Sequence, residues 1–329
     1  MVIAVSAQAR AVGDPATLGV AAHAPAGGFS DARLGVDHPA GWWPSKPRLK
    51  SYEAAGFAFL QVRMPERALL ADEQAVVAHA AALREALSLT GLRLILHAPD
   101  DLLAGTPEHD HQLDGALTYA SVAGSRLVVY HGARIPIGDA TVRARLCDEE
   151  RSLRRVLPRA GALGVRLAIE NLAPVYRGIE YVCHDPSAVV GLVRRLDSAQ
   201  VGMCLDVGHA HIAAELAGCE MLELVEPALE HVILFHVHDN LGARTRAPSR
   251  GGIEPLRLDL HLPPGAGTLP WSAIAPRLAT HVAPVQLEVH PAGRPEPGTL
   301  AILTREVFRR AAGRGSVPRR ARVRETTKT

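Results

Sequence analysis

The chain has 329 residues, 47% of them hydrophobic and 21% charged, with a formal net charge of +2 at pH 7. That balance is ordinary for a soluble globular protein and excludes a disordered, collagen-like or coiled-coil chain. The charge is unevenly spread: residues 309–329 hold eight Lys/Arg against one acid, and outside them 28 bases face 33 acids. A body of that sign is opposite to one that tracks a phosphate backbone.

In chain order, residues 1–30 are rich in Ala and Gly without a sustained period and read as a loosely ordered extension. No apolar run reaches the roughly 18 residues needed to span a bilayer, and the opening MVIAVSAQAR has neither a basic leader nor a long apolar stretch. A cytoplasmic protein is expected. Residues 31–312 alternate short Val/Ile/Leu/Phe runs with Ala/Leu/Arg/Glu-rich stretches. The runs predict strands over 34–36, 57–63, 92–97, 126–131, 165–170, 201–206, 232–238 and 282–288. The stretches predict helices over 72–88, 112–122, 139–162, 186–196, 210–222, 271–278 and 300–310. Strands without strict alternation, separated by helices, pair in parallel through βαβ units. Eight such units close into a (β/α)8 TIM barrel, and no G-x-G-x-x-G turn follows any strand to favour an open sheet. Residues 313–329 read as a basic, disordered tail. Cys147, Cys183, Cys204 and Cys219 have no C-x-x-C spacing and read as reduced thiols.

Active sites of such barrels gather at the carboxyl ends of the strands. Those positions here are His97 (LILHAP), His131 (LVVYHG), Glu170 (LAIEN), Asp206 with His209 (CLDVGH), His236 with His238 (FHVHDN) and Glu288 (QLEVH), followed by Asp259 and His261 in the loop after the seventh strand. A single His there is commonly a hydrogen-bonded structural residue, and a single Asp commonly caps the next helix. Convergence changes that reading, because several carboxylates facing one another in a barrel mouth repel and resist desolvation unless a divalent cation compensates them. Imidazole and carboxylate without thiolate suit zinc, manganese, iron or cobalt. Asn171 stands beside Glu170 as a carboxylate orienter or substrate donor, and His238 and Asp239 as groups that orient His236 or bind substrate. Arg244 and Arg246 are candidates for a distal hydroxyl or phosphate. Trp42 and Trp43 are candidates for an apolar wall over the substrate.

Together HAP, VVYHG, IEN, CLDVGHAH, FHVHDN, DLHLPPGAGTLPW and LEVH resemble the xylose isomerase-like TIM barrels, which unite sugar and sugar-phosphate isomerases and epimerases with AP endonucleases. In the epimerase-like members the resemblance implies one metal held by Glu170, Asp206, His236 and Glu288, with Glu170 and Glu288 also moving protons. In the endonuclease-like members it implies three zinc ions, with His97, His131, His209, Asp259 and His261 added. All nine positions carry a suitable residue. Three features depart from the nuclease pattern: Asp100 and Asp101 stand where a bulky wedge is expected, the strand-four motif reads HGA, and aromatic residues make up only 4%. The expectation is therefore a manganese-, cobalt- or zinc-dependent isomerase or epimerase working through an enediolate. One ion is favoured and up to three are accommodated. A zinc phosphodiesterase acting on abasic DNA and a keto-polyol dehydratase are the alternatives. The partner expected is a small sugar or polyol, with no membrane or nucleic acid, and homo-oligomerisation is left open.

Overall fold

The computed structural model describes residues 29–41, 43–244 and 256–314. The extension expected over 1–30 and the tail over 313–329 lie almost wholly outside the described residues, as do Trp42 and Arg246. Eight strands form a closed parallel barrel in chain order: β1 (Leu34–Asp37), β2 (Phe59–Arg63), β3 (Arg93–His97), β4 (Leu127–His131), β5 (Arg166–Glu170), β6 (Val201–Asp206), β7 (Val232–Val237) and β8 (Val285–Leu287). The ring closes where Leu34, Gly35 and Val36 of β1 pair with Val285, Gln286 and Leu287 of β8.

Helices cover the outside: α1 (Lys46–Ala54), α2 (Arg67–Leu70), α3 (Glu73–Leu87), α4 (Pro107–Ala123), α5 (Val142–Leu163), α6 (Pro186–Leu196), α7 (Val207–Ala217), α8 (Met221–Val225), α9 (Trp271–Thr280) and α10 (Pro297–Arg314). Their ends follow local chemistry. The Asp72 carboxylate accepts from Gln74 N and Ala75 N at 3.0 Å to start α3, and Pro107 and Pro186 occupy the first turns of α4 and α6, where a missing N–H costs nothing. The single helix expected over 210–222 is two, because Gly218 takes a left-handed conformation (φ 69°) and ends α7.

A strand shows alternate residues to opposite faces. Outward-facing Leu96, Tyr130, Ile169, Leu205 and Phe235 join the large core between sheet and helices. Inward-facing Ile95, Val129, Ala168, Cys204 and Leu234 form a separate small apolar cluster inside the barrel. Two residues further along the same strands stand His97, His131, Glu170, Asp206 and His236. The chemistry-bearing side chains are thus the layer directly above an apolar plug, and the strand register sets their height. Among the described residues no helix is long and apolar enough to cross a membrane.

Candidate metal centre

Among the described residues the strand ends bring together four groups of metal-ligating atoms, the atoms of each group lying within 4.8 Å of one another; one of them sets the buried Cys204 thiol beside Glu170 and His236. Glu170, Asp206, His236 and Glu288 make the central, fully buried group; His97 and His131 join Glu170 on one side, and His209, His238, Asp259 and His261 gather on the other. All nine sequence-expected ligand positions therefore meet at one rim, with Glu170 common to three of the groups.

The imidazoles are aimed by what their outer nitrogens hold. His97 donates Nδ1–H to Ala98 O at 2.7 Å, His209 to Asn171 O at 2.8 Å and His261 to Glu288 O at 3.0 Å. A carbonyl only accepts, so each of these rings is fixed with Nε2 inward. Inward Nε2 atoms then face carboxylates: His97 lies 3.4 Å from Glu170 Oε2, His131 3.6 Å from the same oxygen, His209 3.6 Å from Asp259 Oδ1 and His261 3.0 Å from Asp259 Oδ2. His236 presents Nδ1 instead, 3.1 Å from Glu170 Oε1 and 3.4 Å from Glu288 Oε1.

These residues fit a cation on two counts. Glu170 Oε2, Asp206 Oδ2 and Asp259 Oδ1 are buried and accept no well-formed hydrogen bond among the described residues, a costly state for a carboxylate. In addition, two ligand atoms about 2.0–2.1 Å from one tetrahedral zinc lie about 3.3 Å apart, close to the N···O separations above. The electrostatics agree. Burial alone would raise the Glu170 pKa, yet His236 and His97 hold it well below the ordinary value, and His261 and His209 do the same for Asp259 against its burial. Burial would lower His261, but Asp259 lifts it to about 9; for His131, burial and the neighbouring His97 bring it down to about 4.

Local backbone makes this crowding feasible. Asp206 ends β6 and caps α7 through Oδ1, which accepts from His209 N at 2.8 Å, so one residue both begins the helix and offers its other oxygen to the centre. Gly208 is required behind it, since a Cβ there would lie 2.2 Å from the His238 ring. His261 adopts φ 47°, an uncommon conformation for a residue with a side chain, which turns its ring against that of His238 (centroids 3.9 Å apart).

The residues expected to contact substrate are placed differently. Asp239 is fully buried, and its two oxygens accept from Asn240 N, Leu269 N, Gly265 N and Trp271 Nε1, filling its acceptor capacity. It ties the loop after β7 together instead of meeting a substrate. Asn171, also fully buried, clamps β5 to β6 by exchanging hydrogen bonds with the backbone of Asp206 (2.9 and 3.1 Å), so its place is that of an orienter. His238 Nε2 lies 3.2 Å from Asp206 Oδ1, within the ligand layer. Arg244 points to Glu215 on α7 at 3.8 Å with 74% of its side chain exposed, and Trp43 packs edge-on against His79 with its ring centroid 5.1 Å away. Neither lines the cavity of about 140 Å³ above the centre.

Three other arginines do line it: Arg63, Arg134 and Arg257. Arg63 pairs with Asp100, and Arg257 donates to Asp259 O. Arg134 lies over the Tyr181 ring at 5.6 Å and has no other polar partner among the described residues. Asp100 itself lies 3.7 Å from His131 Nε2, so the acid that departs from the nuclease pattern belongs to the pocket, while Asp101 pairs with Arg67 at 2.8 Å. Arg63 closes β2 as His97 closes β3, a signal readable in the sequence but lying before the third strand, where the expected positions begin; Arg134 and Arg257 sit in loops with no period to place them.

A sequence model of the xylose isomerase-like TIM barrel matches residues 49–309. Over 119 residues the chain is 29% identical to an uncharacterized protein of Methanocaldococcus jannaschii, a match that takes in 36% of this chain and 39% of that relative's length. Among solved structures it is similar to a D-tagatose 3-epimerase-like protein (TM-score 0.62, 17% identity, 86% of this chain and 100% of that one). It is also similar to 3-keto-D-glucoside 4-epimerase from E. coli (0.60, 15%, 84% and 98%) and to D-allulose 3-epimerase from Methylomonas sp. (0.62, 14%, 85% and 96%). At these identities the likeness establishes the fold.

Proposed function

The chain belongs to the xylose isomerase-like TIM barrel family, and from that premise we propose that it is a divalent-metal-dependent isomerase or epimerase of a sugar or sugar phosphate. The observation that carries the reading is the central group: ligand atoms of Glu170, Asp206, His236 and Glu288, from four strands, lie within 4.8 Å of one another and are buried. Their oxygen and nitrogen donors suit manganese, cobalt or zinc. A cation held there supplies an electrophile for the adjacent oxygens of a hydroxy-carbonyl substrate.

Proton movement falls to the carboxylates. Glu170 and Glu288 come from strands with β6 and β7 between them and both reach His236 Nδ1, at 3.1 and 3.4 Å. A substrate lying over that imidazole has a carboxylate from each side of the ring within reach. One removes the proton from the carbon beside the carbonyl, leaving a planar enediolate, and the other returns a proton to the opposite face. That outcome is epimerisation; return to the neighbouring carbon is isomerisation. Arg134, at the cavity wall and without a hydrogen bond or ion pair among the described residues, takes the place expected for Arg244 as the group that meets a distal hydroxyl or phosphate.

The test is exchange of solvent deuterium into a panel of ketoses and ketose phosphates by the metal-loaded protein. Glu170→Gln and Glu288→Gln should each slow exchange by about 10²-fold or more; exchange at the parent rate in both variants rules out the two-carboxylate scheme.

A second reading is favoured by one observation, the two flanking donor groups that share or adjoin the central one. Three ions there would match the set implied for the endonuclease-like relatives. Nicking of an abasic duplex by the zinc-loaded protein would establish that reading, and its absence alongside ketose exchange would remove it.

A further inference from the structure

Gln61, in β2, is 2% exposed and belongs to none of the ligand groups above. Its carboxamide lies between two residues that do: Oε1 is 2.9 Å from His236 Nε2, and Nε2 donates to Glu288 Oε1. The contrast with the other imidazoles is informative. His97, His209 and His261 are oriented by backbone carbonyls, which no side-chain change removes. His236 faces the other way round, with Nδ1 toward the carboxylates, and its outer nitrogen is held by a side chain.

The amide has one consistent orientation. Turned over, it would set its oxygen against a Glu288 carboxylate oxygen, two acceptors in contact in a buried site. As placed, the amide oxygen can only accept, so His236 Nε2 must carry the hydrogen and Nδ1 keeps its lone pair. We propose that Gln61 is a positioning residue of the centre: through its two amide atoms it fixes His236 as an Nδ1 ligand and aims Glu288 Oε1 at the same point. One side chain thereby sets two of the four central ligands, His236 on β7 and Glu288 just past the adjacent β8. This rests on the metal-binding reading of the centre and is independent of the reaction carried out there.

The experiment uses the full chain, stripped of metal and titrated with zinc against a competing chelator, comparing the parent with Gln61→Met and Gln61→Glu. Methionine keeps the volume and removes both hydrogen bonds; glutamate keeps the acceptor for His236 and removes the donor to Glu288. Zinc affinity should fall 10- to 100-fold in Gln61→Met, with the metal-free melting temperature little changed. In the zinc-loaded protein labelled with ¹⁵N-histidine, the His236 Nε2–H resonance should be retained in the parent and in Gln61→Glu and be lost or exchange-broadened in Gln61→Met. A merely structural role would lower metal-free stability and leave zinc affinity and that resonance alone, and this result overturns the proposal. Should Gln61→Met fail to fold, Gln61→Glu decides: an unchanged zinc affinity there removes the claim for Glu288, and a lost His236 Nε2–H resonance removes the claim for His236. A parent protein that takes up no zinc at all instead defeats the reading of the centre itself.

Discussion

Glu149 lies in α5 behind the barrel wall, where its Oε1 accepts from the Tyr130 hydroxyl at 2.9 Å and its Oε2 has no hydrogen bond among the described residues. Burial raises its pKa to about 7, only partly offset by the Tyr130 hydrogen bond and by Arg145. The folded protein therefore keeps a proton that the unfolded chain loses near pH 4.5, so stability falls as pH rises from there to about 7 and is level above it. Glu149→Gln removes that slope: relative to the parent, its unfolding free energy should rise between pH 5 and 7.5 by about 2 kcal/mol. Parallel denaturation curves across that range would show that Glu149 does not titrate this way. At this scale the sequence was legible where a residue closes a strand, as with Glu170, Asp206 and Glu288. It was not legible where an amide or carboxylate is claimed by its surroundings: Asp239 looks like a substrate ligand in HDN, but three donors from its own loop and the Trp271 indole at the start of α9 occupy it.

Between elements, the packing of α2 on α4 depends on Gly115, where a Cβ would lie 1.9 Å from Leu70 O. In an exposed helix Gly→Ala gains up to about 1 kcal/mol; here Gly115→Ala should instead cost about 1–3 kcal/mol, because backbone must give way. Urea denaturation measures this, and a stabilised variant would contradict the packing described. Strands were legible to within three residues at their ends because parallel strands buried on both faces leave uninterrupted apolar runs. Helix α1 (KPRLKSYEA) was not foreseen, since only Leu49 and Tyr52 of its nine residues are buried and no apolar stripe marks it. The arginines of the pocket were missed for a related reason: loop positions carry no period, and their place follows only from the closed ring.

Across the whole molecule, folding concentrates Glu170, Asp206, Asp259 and Glu288 with six imidazoles over the apolar plug. Barrel topology made that gathering foreseeable, because any (β/α)8 ring sends its strand ends to one rim. What it could not supply is the partition into separate donor groups, which depends on ring tautomers and on the left-handed turn at His261. A cation bound to the folded state alone adds about 2.7 kcal/mol at a hundredfold excess over its dissociation constant. Manganese, cobalt or zinc should therefore raise the melting temperature of chelator-treated protein, and Asp206→Asn should blunt the rise. The most direct measurement is equilibrium dialysis of metal-free protein against zinc or manganese, with elemental analysis of the dialysed chain. At least one tightly held equivalent per chain, abolished in Glu170→Ala, is the result expected; metal content no higher in the parent than in that variant would contradict the account at its root.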